Sequence, residues 1–533
     1  MSLLEIRDLS VSIGETAILH DVSLDVATGQ IVAITGESGS GKSMTALSVM
    51  GLLPDRARTS GSILLGGKDI LTTDEAALCR MRGSEMGMVF QEPMTALNPV
   101  HTIGAQVAET ILLHDTCSKA EAAVQATALL ERVGLKVPAS RFPHELSGGQ
   151  RQRVVIAMAI AMRPKLLIAD EPTTALDVTT QARILDLLKD LVEDFGMGLL
   201  MITHDLAVVS DIADRIVVMQ HGRVVESGET AELLQHMKHP YTRALFAASA
   251  HKVDLPEKQA DDTLLDVRGV ARDYPIRRTA LFGPKRHFRA LEDITFSLRH
   301  GERVGLVGES GCGKSTLTRA ILGLEAVQEG SITLDGQPVF TDKRPNLDVR
   351  RRMQVVFQDP YSSFNPRHKV ARLITEPFHL LEDAPTGAAR DAAIARALSD
   401  VGLSPSDANK YIHEFSGGQR QRIAIARALI IEPDLIVFDE AVSALDVSVR
   451  AQVLDLLADL CRKRSFTYLF ISHDLSVVRT VTDRVLVMQS GRIVEQGETE
   501  VVFTSPSHPY TRTLIDAVPV LPDIEANWEG RAE

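Results

Sequence analysis

The sequence predicts an α/β chain built from two tandem phosphate-loop units, each with a mostly parallel sheet. The first observation is a repeated motif, Gly-x-x-x-x-Gly-Lys-Ser, at residues 36–43 and 308–315. The second is that other motifs recur in the same order, such as Ser-Gly-Gly-Gln at 147–150 and 416–419. The third is that short apolar runs precede these motifs, as buried parallel strands do. One such motif can arise by chance, but an ordered repeated set indicates two homologous units.

The bulk composition fits two globular domains. The chain has 533 residues, of which 44% are hydrophobic and 24% charged, and its net charge is −13. Single cores rarely grow beyond about 250–300 residues, so this length predicts two. The negative charge argues against a nucleic-acid partner. No run approaches the ~18 apolar residues of a membrane span, and the N-terminal sequence lacks signal-peptide features. We therefore expect a cytoplasmic chain.

The two units are expected at residues 1–250 and 264–533, joined by a linker at 251–263 that is rich in Lys, Glu, Asp and Pro. Aligning the opening strands shows that the second unit carries an insertion before its phosphate loop. The insertion lies within residues 275–289, is rich in Arg, Lys and His, and is interpreted as a solvated loop.

Helical periodicity and short apolar runs predict the positions of the other helices and strands. Residues 92–145 and 359–414 have helical periodicity without strand signals, which predicts an all-helical subdomain inserted in each unit. Three apolar runs per unit are predicted as parallel strands, at residues 31–34, 166–169 and 198–202 in the first unit and 304–307, 435–438 and 468–471 in the second.

The repeated glycine-rich motif has the features of a phosphate-binding loop, because each copy follows a strand pattern and precedes a helix. Its glycines let backbone N–H groups converge on a phosphate, and the helix N-terminus adds a positive dipole. We expect Lys42 and Lys314 to neutralise the β- and γ-phosphates of ATP, and Ser43 and Ser315 to offer hydroxyls to Mg²⁺. The predicted nucleotide-binding residues of the two loops are Gly36, Glu37, Ser38, Gly39, Ser40, Gly41, Lys42, Ser43, Gly308, Glu309, Ser310, Gly311, Cys312, Gly313, Lys314, Ser315 and Thr316.

The four cysteines, Cys79, Cys117, Cys312 and Cys461, are far apart and form no Cys-x-x-Cys pair. Zinc or iron–sulfur ligation is therefore not expected, and reduced thiols are. Cys312 lies inside the second phosphate loop, where we interpret it as a small residue among glycines.

Two adjacent acids follow a predicted strand in each unit. We expect Asp170 and Asp439 to orient Mg²⁺ or its waters, and Glu171 and Glu440 to polarise a water for in-line attack. Such a pair is informative only together with a phosphate loop, and both units contain both. The second unit lacks the proline that follows the glutamate in the first, which removes no reacting group.

Two further polar residues recur after predicted strands. Gln91 and Gln358 lead into the helical subdomains, and we expect them to contact Mg²⁺ or the lytic water and to relay movement. His204 and His473 are expected to contact a γ-phosphate. An isolated Gln or His is usually a surface or structural residue, but repetition in matched context favours function.

Ser-Gly-Gly-Gln followed by Arg-Gln-Arg and, about twenty residues on, Asp-Glu resembles the signature of ATP-binding cassette (ABC) ATPases. The resemblance covers nearly the whole chain and implies, in each unit, a RecA-like α/β core with an antiparallel β edge. In that family the signature of one unit caps ATP on the phosphate loop of the other. The resemblance therefore implies two sites. One joins residues 36–43 to Ser416, Gly417, Gly418 and Gln419, and the other joins residues 308–315 to Ser147, Gly148, Gly149 and Gln150. Ala-Leu-Asp at 175–177 and 444–446 matches the family's inter-unit contact loop.

Members of the family often stack adenine on an aromatic residue upstream of the phosphate loop. Strand alignment puts Tyr274 at that position in the second unit and Ile13 in the first. Tyr274 can stack, whereas Ile13 offers only apolar contact, so the first site is expected to hold adenine more loosely. An ordinary strand-end tyrosine is the alternative interpretation.

Further motifs resemble those of oligopeptide and dipeptide importer ATPases. These are His-Pro-Tyr-Thr-Arg at 239–243 and 508–512, and the Gln-to-Asn-Pro segments at 91–99 and 358–366. The compact fusion resembles the ATPases of microcin C, oligopeptide and glutathione importers. It implies two integral-membrane permease subunits, a periplasmic or extracellular solute-binding protein, and a peripheral position on the cytoplasmic face of the inner membrane.

We expect the permeases to dock near residues 91–100 and 358–367, with Leu97 and Phe364 on the exposed surface. The Gln of each segment reaches the nucleotide, and the Asn-Pro turn beyond it enters the helical subdomain. Movement at the γ-phosphate therefore has a short covalent route to a partner.

Other tandem ABC ATPases fit the sequence less well. Fused sugar-importer ATPases typically have a degraded second phosphate loop, but residues 308–315 are intact. Ribosome-binding ABC-F proteins carry a long charged linker and lack the importer-type helical loop, and the linker here is short. A role in DNA repair would call for zinc cysteines, coiled-coil heptads or a basic groove, and the sequence shows none of these features. The ABC-F function and an importer with another cargo, such as glutathione, stay open as alternatives.

Overall fold

The computed structural model describes residues 2–174, 176–256, 262–276, 286–342, 344–359, 363–443, 445–464 and 466–521. Both predicted units contain nearly the same succession of strands and helices. In the first they are β1 Ser2–Ile13, β2 Thr16–Ala27, β3 Ile31–Thr35, α1 Lys42–Val49, β4 Ala57–Leu65, β5 Lys68–Asp69, α2 Glu75–Ser84, β6 Met86–Val89, α3 Pro93–Ala96, α4 Ile103–His114, α5 Lys119–Arg132, α6 Gly148–Ala159, β7 Leu166–Asp170, α7 Val178–Phe195, β8 Gly198–Ile202, α8 Leu206–Ile212, β9 Arg215–Gln220, β10 Arg223–Glu229, α9 Thr230–Gln235 and α10 Pro240–Ser249.

The second unit repeats this order with an added two-stranded ribbon, β16 with β17, and its described residues include no counterpart of α3. Its elements are β11 Thr263–Ile276, β12 Arg286–Arg299, β13 Arg303–Val307, α11 Lys314–Ile321, β14 Glu329–Leu334, β15 Gln337–Pro338, β16 Phe340–Thr341, β17 Arg344–Pro345, α12 Leu347–Arg350, β18 Met353–Val356, α13 Val370–Ile374, α14 Gly387–Asp400, α15 Gly417–Leu429, β19 Leu435–Asp439, α16 Val447–Lys463, β20 Thr467–Ile471, α17 Leu475–Val481, β21 Arg484–Gln489, β22 Arg492–Glu498, α18 Thr499–Thr504 and α19 Pro509–Asp516.

A six-stranded sheet forms the centre of each unit. Its strand order is β10-β9-β3-β8-β7-β6 in the first unit, and β22-β21-β13-β20-β19-β18 in the second. Neighbouring strands are parallel except in the terminal hairpins, β9 with β10 and β21 with β22. All three runs predicted as parallel strands in each unit lie in these sheets. The phosphate loops follow β3 and β13, which are flanked by strands on both sides.

The predicted antiparallel edge is a separate four-stranded sheet, ordered β2-β1-β4-β5 in the first unit and β12-β11-β14-β15 in the second. The central strands alternate between two apolar cores, as side chains on a strand must. Val32 and Ile34 pack toward the antiparallel sheet, whereas Ile31 and Ala33 pack with the helices. Burial on both faces explains why these strands read as continuous apolar runs. The predicted fold class is confirmed.

The predicted helical subdomain is also present in both units. Between residues 92 and 145 the regular elements are helical, and α4 and α5 pack into the same apolar core as the central sheet. The described part of residues 359–414 contains helices and one isolated bridge, between Lys369 and Tyr411. The described residues include no helix long and apolar enough to cross a membrane.

Two expectations about surface segments need correction. Leu97 and Phe364 are each only 4% exposed, because both pack into the apolar cores of the helical subdomains, so their predicted exposure is wrong. The insertion at 275–289 is not a loop throughout, since its ends continue β11 and β12, where Pro275 pairs with His287. Residues 277–285 of that insertion, 257–261 of the linker and 360–362 of the second docking segment lie outside the described residues.

Candidate functional site

The first phosphate loop joins β3 to α1 through glycines in conformations that other residues adopt poorly. Gly36, Gly39 and Gly41 have φ of 146°, 76° and 100°. A Cβ on Gly36 would lie 2.1 Å from the carbonyl oxygen of Met219, so only glycine fits this close approach. The second loop repeats the constraint, because a Cβ on Gly308 would lie 2.2 Å from the carbonyl of Met488.

The loop lysines are buried and held by the backbone of their own loops. Lys42 Nζ donates to the carbonyl oxygens of Gly36 and Glu37, both at 2.8 Å. Lys314 Nζ donates to the first two carbonyls of its loop at 2.7 and 2.9 Å. Burial lowers the pKa of Lys42 against the opposing effect of nearby carboxylates. A buried ammonium beside a glycine loop and a helix N-terminus is an arrangement that a phosphate stabilises.

Cys312 occupies the position that serine fills in the first loop. Its side chain is buried, and burial raises the pKa of its thiol. A protonated thiol is a poor nucleophile, which agrees with the interpretation of a small residue among glycines. The four cysteines are all free.

The two adjacent acids end a central strand in each unit. Asp170 is the last residue of β7, and Ser43 Oγ donates to its Oδ1 at 3.3 Å. Burial raises the pKa of Asp170 and of Asp439. Glu171 and Glu440 follow with φ of 47° and 52°, a left-handed conformation that is uncommon outside glycine. Such strained residues cluster at functional sites.

Three side chains of the first site contact the Glu171 carboxylate. Gln91 Nε2 and Thr174 Oγ1 each donate to its Oε2 at 2.8 Å, and His204 Nδ1 lies 3.3 Å from its Oε1. Burial opposes ionisation, but the contacts with His204 and Thr174 prevail and lower the pKa of Glu171 to about 2. The carboxylate is therefore ionised at neutral pH and able to accept a hydrogen bond from water.

The second site has the same residues in a slightly different network. His473 Nδ1 lies 3.4 Å from Glu440 Oε1, and this contact lowers the pKa of Glu440. Gln358 Nε2 donates to Ser443 Oγ at 3.4 Å, whereas its counterpart binds the glutamate. A cavity of about 690 Å³ opens here, lined by Asp177, Ser310, Lys314, Ser315, Phe357, Gln358, Asp359, Ser363, Asp439, Glu440 and His473.

Each phosphate loop also contacts the opposite unit. The Ser38 N–H donates to Asp446 Oδ1 at 2.7 Å, and the Ser310 N–H donates to Asp177 Oδ2 at 3.3 Å. These aspartates belong to the predicted inter-unit contact loops, whose alanines at 175 and 444 lie outside the described residues. In both units, therefore, a backbone N–H of the phosphate loop donates to an aspartate side chain of the opposite unit.

The glutamates of the phosphate loops strengthen this connection. Thr179 Oγ1 donates to Glu309 Oε1 at 2.7 Å, and Ser448 Oγ donates to Glu37 Oε1. Thr179 and Ser448 lie in the first turns of α7 and α16, directly after the contact aspartates. The loop motif alone predicts a role for Glu37 and Glu309, and no sequence pattern indicates these partners.

The signature motifs form helix N-termini. Ser147 and Gln150 make a reciprocal capping box, with N–H···O distances of 3.0 and 3.3 Å, and Ser416 and Gln419 make the same pair at 3.1 and 3.4 Å. The capping box satisfies N–H groups at the start of α6 and α15. These hydrogen bonds lie within one unit, and pairing of each signature with the opposite loop stays a prediction.

Tyr274 has protein partners on its ring and hydroxyl. The Arg272 guanidinium lies 4.9 Å from the ring centre, and the hydroxyl donates to Glu325. Ile13 ends β1 and pairs with Thr16. Stacking of adenine on Tyr274 stays a prediction.

Two site residues were missed by the sequence analysis. The Tyr241 hydroxyl accepts the Glu37 N–H, and the Tyr510 hydroxyl accepts the Glu309 N–H, both at 2.9 Å. Both tyrosines belong to the His-Pro-Tyr motif, which the sequence alone identifies only as a family marker. The signal that could have found them is the recurrence of a tyrosine at the same place in both units.

The sequence matches two known protein families and several known proteins over most of its length. The ABC transporter family matches residues 19–174 and 291–443, and the oligopeptide/dipeptide transporter C-terminal region matches 225–262 and 494–532. The chain is 48% identical to the peptidoglycan transport ATP-binding protein YejF of Agrobacterium fabrum, over 97% of this chain and 96% of that protein. It is 46% identical to the glutathione import ATP-binding protein GsiA of Salmonella typhimurium, over 94% and 86% of the two chains.

Two other matches are also named as parts of ABC transporters. An uncharacterized ABC transporter ATP-binding protein YejF of Escherichia coli is 46% identical over 96% of this chain and 99% of its own. The solved structure of cbiO1 from Clostridium perfringens, part of an ABC transporter complex, is 29% identical, covers 44% of this chain and 90% of its own, and has a TM-score of 0.40.

Fold, site and relatives together define an ATP hydrolase with two tandem ATP-binding domains. The chain belongs to the ATP-binding proteins of the ABC transporter family, in the oligopeptide/dipeptide importer group. Importer ATPases of this type work with membrane permeases and a solute-binding protein. The predicted family, ATPase activity and importer function are confirmed.

Proposed function

We propose that the chain hydrolyses ATP at two composite sites and that this drives uptake of peptides or peptide-like solutes. The observation that carries the proposal is the pair of hydrogen bonds that tie each phosphate loop to an aspartate of the opposite unit. The units are taken as residues 1–250 and 264–533, with 251–263 as the linker. Each site is then completed by the opposite signature, whose helix N-terminus and glycine N–H groups suit a γ-phosphate.

At the first site Glu171 is the residue proposed to polarise the attacking water. Its carboxylate is ionised and held by Gln91, Thr174 and His204, so it is oriented to polarise a water for in-line attack on the γ-phosphate. Its contact with Nδ1 of His204 leaves Nε2 of that ring for the phosphate. Lys42 neutralises charge on the β- and γ-phosphates.

Mg²⁺ fits the oxygen donors at both sites. Ser43 with Asp170, and Ser315 with Asp439, supply one hydroxyl and one carboxylate each, and Mg²⁺ is usually held by few protein oxygens together with waters and phosphates. The distance of 3.3 Å between Ser43 Oγ and Asp170 Oδ1 supports this assignment at the first site. When bound, Mg²⁺ would be held by Ser43 and Asp170 in the first site and by Ser315 and Asp439 in the second, and would neutralise charge on the phosphates. Gln91 and Gln358 are the proposed contacts to its water shell.

At the second site Glu440 is proposed to polarise the attacking water and His473 to contact the γ-phosphate. Lys314, Gln358 and the cavity that contains them correspond to the first site. Tyr274 is the proposed adenine-stacking residue, with no aromatic counterpart in the first unit.

Peptide-like cargo is supported by what the relatives are named for. One is a peptidoglycan transport protein and another a glutathione import protein, and short peptides are common to both kinds of cargo. We propose that the chain lies on the cytoplasmic face of the inner membrane and contacts it through two permease subunits, which receive solute from a periplasmic or extracellular binding protein.

The proposed docking surface in the first unit consists of Met94 and Val100. They are 53% and 73% exposed and lie in the segment that begins at Gln91. An apolar pair at the surface beside the nucleotide-sensing residue is suited to contact a partner. The corresponding surface of the second unit includes exposed residues 365–367.

Changing Met94 and Val100 together to Asp is expected to abolish ATP-driven uptake while leaving basal hydrolysis largely intact, because charge blocks the apolar contact and neither side chain is among the proposed site residues. The measurement is uptake of a labelled oligopeptide into vesicles that contain the permeases, with hydrolysis assayed in parallel. Val124→Asp is the matched control, since Val124 is 71% exposed on α5, outside the segment. Uptake at the parent rate by the double variant would contradict the docking assignment.

A further inference from the structure

The C-terminal extension of each unit fixes one peptide group of its own phosphate loop. The peptide between Gly36 and Glu37 is held at both ends, because Lys42 Nζ donates to its carbonyl and its N–H donates to the Tyr241 hydroxyl. In the second unit the Gly308–Glu309 peptide is held in the same way by Lys314 and Tyr510. The tyrosine hydroxyl therefore lies one peptide away from the lysine that is proposed to hold the phosphates.

The His-Pro-Tyr sequence explains how the tyrosine reaches the loop. His239 caps α10 by accepting the Tyr241 N–H through Nδ1 at 3.2 Å, and proline takes the first helical position. The segment is pinned to β10, since Glu226 accepts the N–H groups of Lys238 and His239 at 2.6 and 3.1 Å. The tyrosine follows in the first turn of a helix whose start is fixed on both sides.

The second unit is built alike. His508 caps α19 by accepting the Tyr510 N–H at 3.2 Å, and Glu495 of β22 accepts the N–H groups of Ser507 and His508 at 2.7 and 3.1 Å. The repetition of every contact in both units favours a shared role over chance packing.

The helices that carry the tyrosines are braced by the opposite unit. Helix α10 packs on α16, and α19 packs on α7. Beyond α10, His251 Nε2 lies 2.7 Å from Asp455 Oδ1 of α16, and Arg462 donates to the carbonyl of Asp254 at 2.7 Å. The same two partner helices supply the contact aspartate and hydroxyl that hold each phosphate loop, so loop, extension and opposite unit form one connected cluster.

We propose that Tyr241 and Tyr510 are positioning residues for ATP binding, each setting the start of its phosphate loop, and with it the loop lysine, through one hydrogen bond. This inference rests on the proposal that residues 36–43 and 308–315 hold the phosphates. The hydroxyl contacts the loop backbone through the N–H of Glu37 or Glu309, and it acts on the loop before and after the chemical step alike. Uniform binding of this kind changes KM and leaves kcat nearly unchanged.

Tyr241→Phe and Tyr510→Phe, made together in the full chain, are expected to raise KM for ATP about five- to tenfold, since a hydrogen bond of this kind contributes roughly a factor of that size. The change in kcat is expected to stay within about twofold. The Kd for ATP, measured in a background that also carries Glu171→Gln and Glu440→Gln, is expected to rise with KM. Unchanged KM and Kd would overturn the proposal.

Tyr468→Phe is the matched control. Tyr468 lies near the start of β20, at the end of the sheet away from the site. Its buried hydroxyl donates to the Val481 carbonyl. This control is expected to lower the Tm without moving KM. If the Tyr241 and Tyr510 variants behave in the same way, their hydroxyls are purely structural and the proposal is wrong.

A second control separates this inference from the site assignment. Lys42→Ala with Lys314→Ala is expected to abolish ATP binding. Loss of binding there with no effect of the tyrosine changes overturns only the positioning role. Parent-like binding by the lysine variant overturns the phosphate-loop assignment, and the positioning role with it.

Discussion

Glu171→Gln and Glu440→Gln are each expected to lower ATP turnover by about 10²–10⁴-fold, the usual contribution of a positioned acid or base. Both carboxylates are ionised, face a histidine and sit in a strained conformation at the end of a central strand. Gln keeps the shape and removes the charge that polarises water. A single change is expected to affect the whole cycle, because in the proposed mechanism one unhydrolysed ATP keeps the two units closed.

The measurement is steady-state ATPase activity together with ATP binding, which both variants are expected to retain. Glu131→Gln, an exposed change on α5, is the control and is expected to match the parent. If either site variant kept full turnover, the two sites would not be equally required.

Gly149→Ala is expected to lower both stability and hydrolysis. A Cβ at this position would lie 2.2 Å from Cγ2 of Thr180, so α6 and α7 must move apart, at a cost of about 1–3 kcal/mol in the free energy of unfolding. Helix α6 begins at the signature, and α7 follows Asp177. The separation therefore shifts α7, which contacts the opposite unit, and the signature at the start of α6, which is proposed to do so. Gly418→Ala is the counterpart, because its Cβ would lie 2.2 Å from Cγ1 of Val449.

Rescue variants make this prediction specific. Thr180→Ser removes the clashing methyl, keeps the hydroxyl and is expected to restore Gly149→Ala in thermal unfolding and in ATPase assays. Val449→Ala should do the same for Gly418→Ala. Gly417→Ala is the stability control, since its added methyl meets no atom within 4 Å. Failure of the paired changes to rescue would show that close helix packing does not explain the glycines.

Much of the central sheet could be predicted because buried parallel strands leave continuous apolar runs. The phosphate loops and acid pairs could be predicted because their chemistry depends on residues adjacent in sequence. Both features are local, and the repeat doubled the evidence for each of them.

Contacts between distant residues could not be predicted in the same way. Tyr241 reaches Glu37 across 204 positions of the chain, and no local pattern marks such a partner. Gln91 and Gln358 occupy equivalent positions, yet one binds the glutamate and the other Ser443. Leu97 and Phe364 lie in short irregular segments, where no periodicity distinguishes a buried apolar residue from an exposed one.

The central claim is that one chain contains both composite sites and closes on itself. Two units tethered in one polypeptide have an effective concentration of about millimolar, so closure needs no second chain. Cysteines introduced at the exposed positions Val124 and Ala389, with Cys79 and Cys117 replaced by Ser, place one fluorophore on each helical subdomain.

The most direct test is the distance between these labels in purified monomers, in a chain that also carries Glu171→Gln and Glu440→Gln, measured by energy transfer before and after Mg·ATP is added. The distance is expected to shorten in monomers and to stay independent of protein concentration. A distance that stays constant in monomers and shortens only when dimers form would contradict the account.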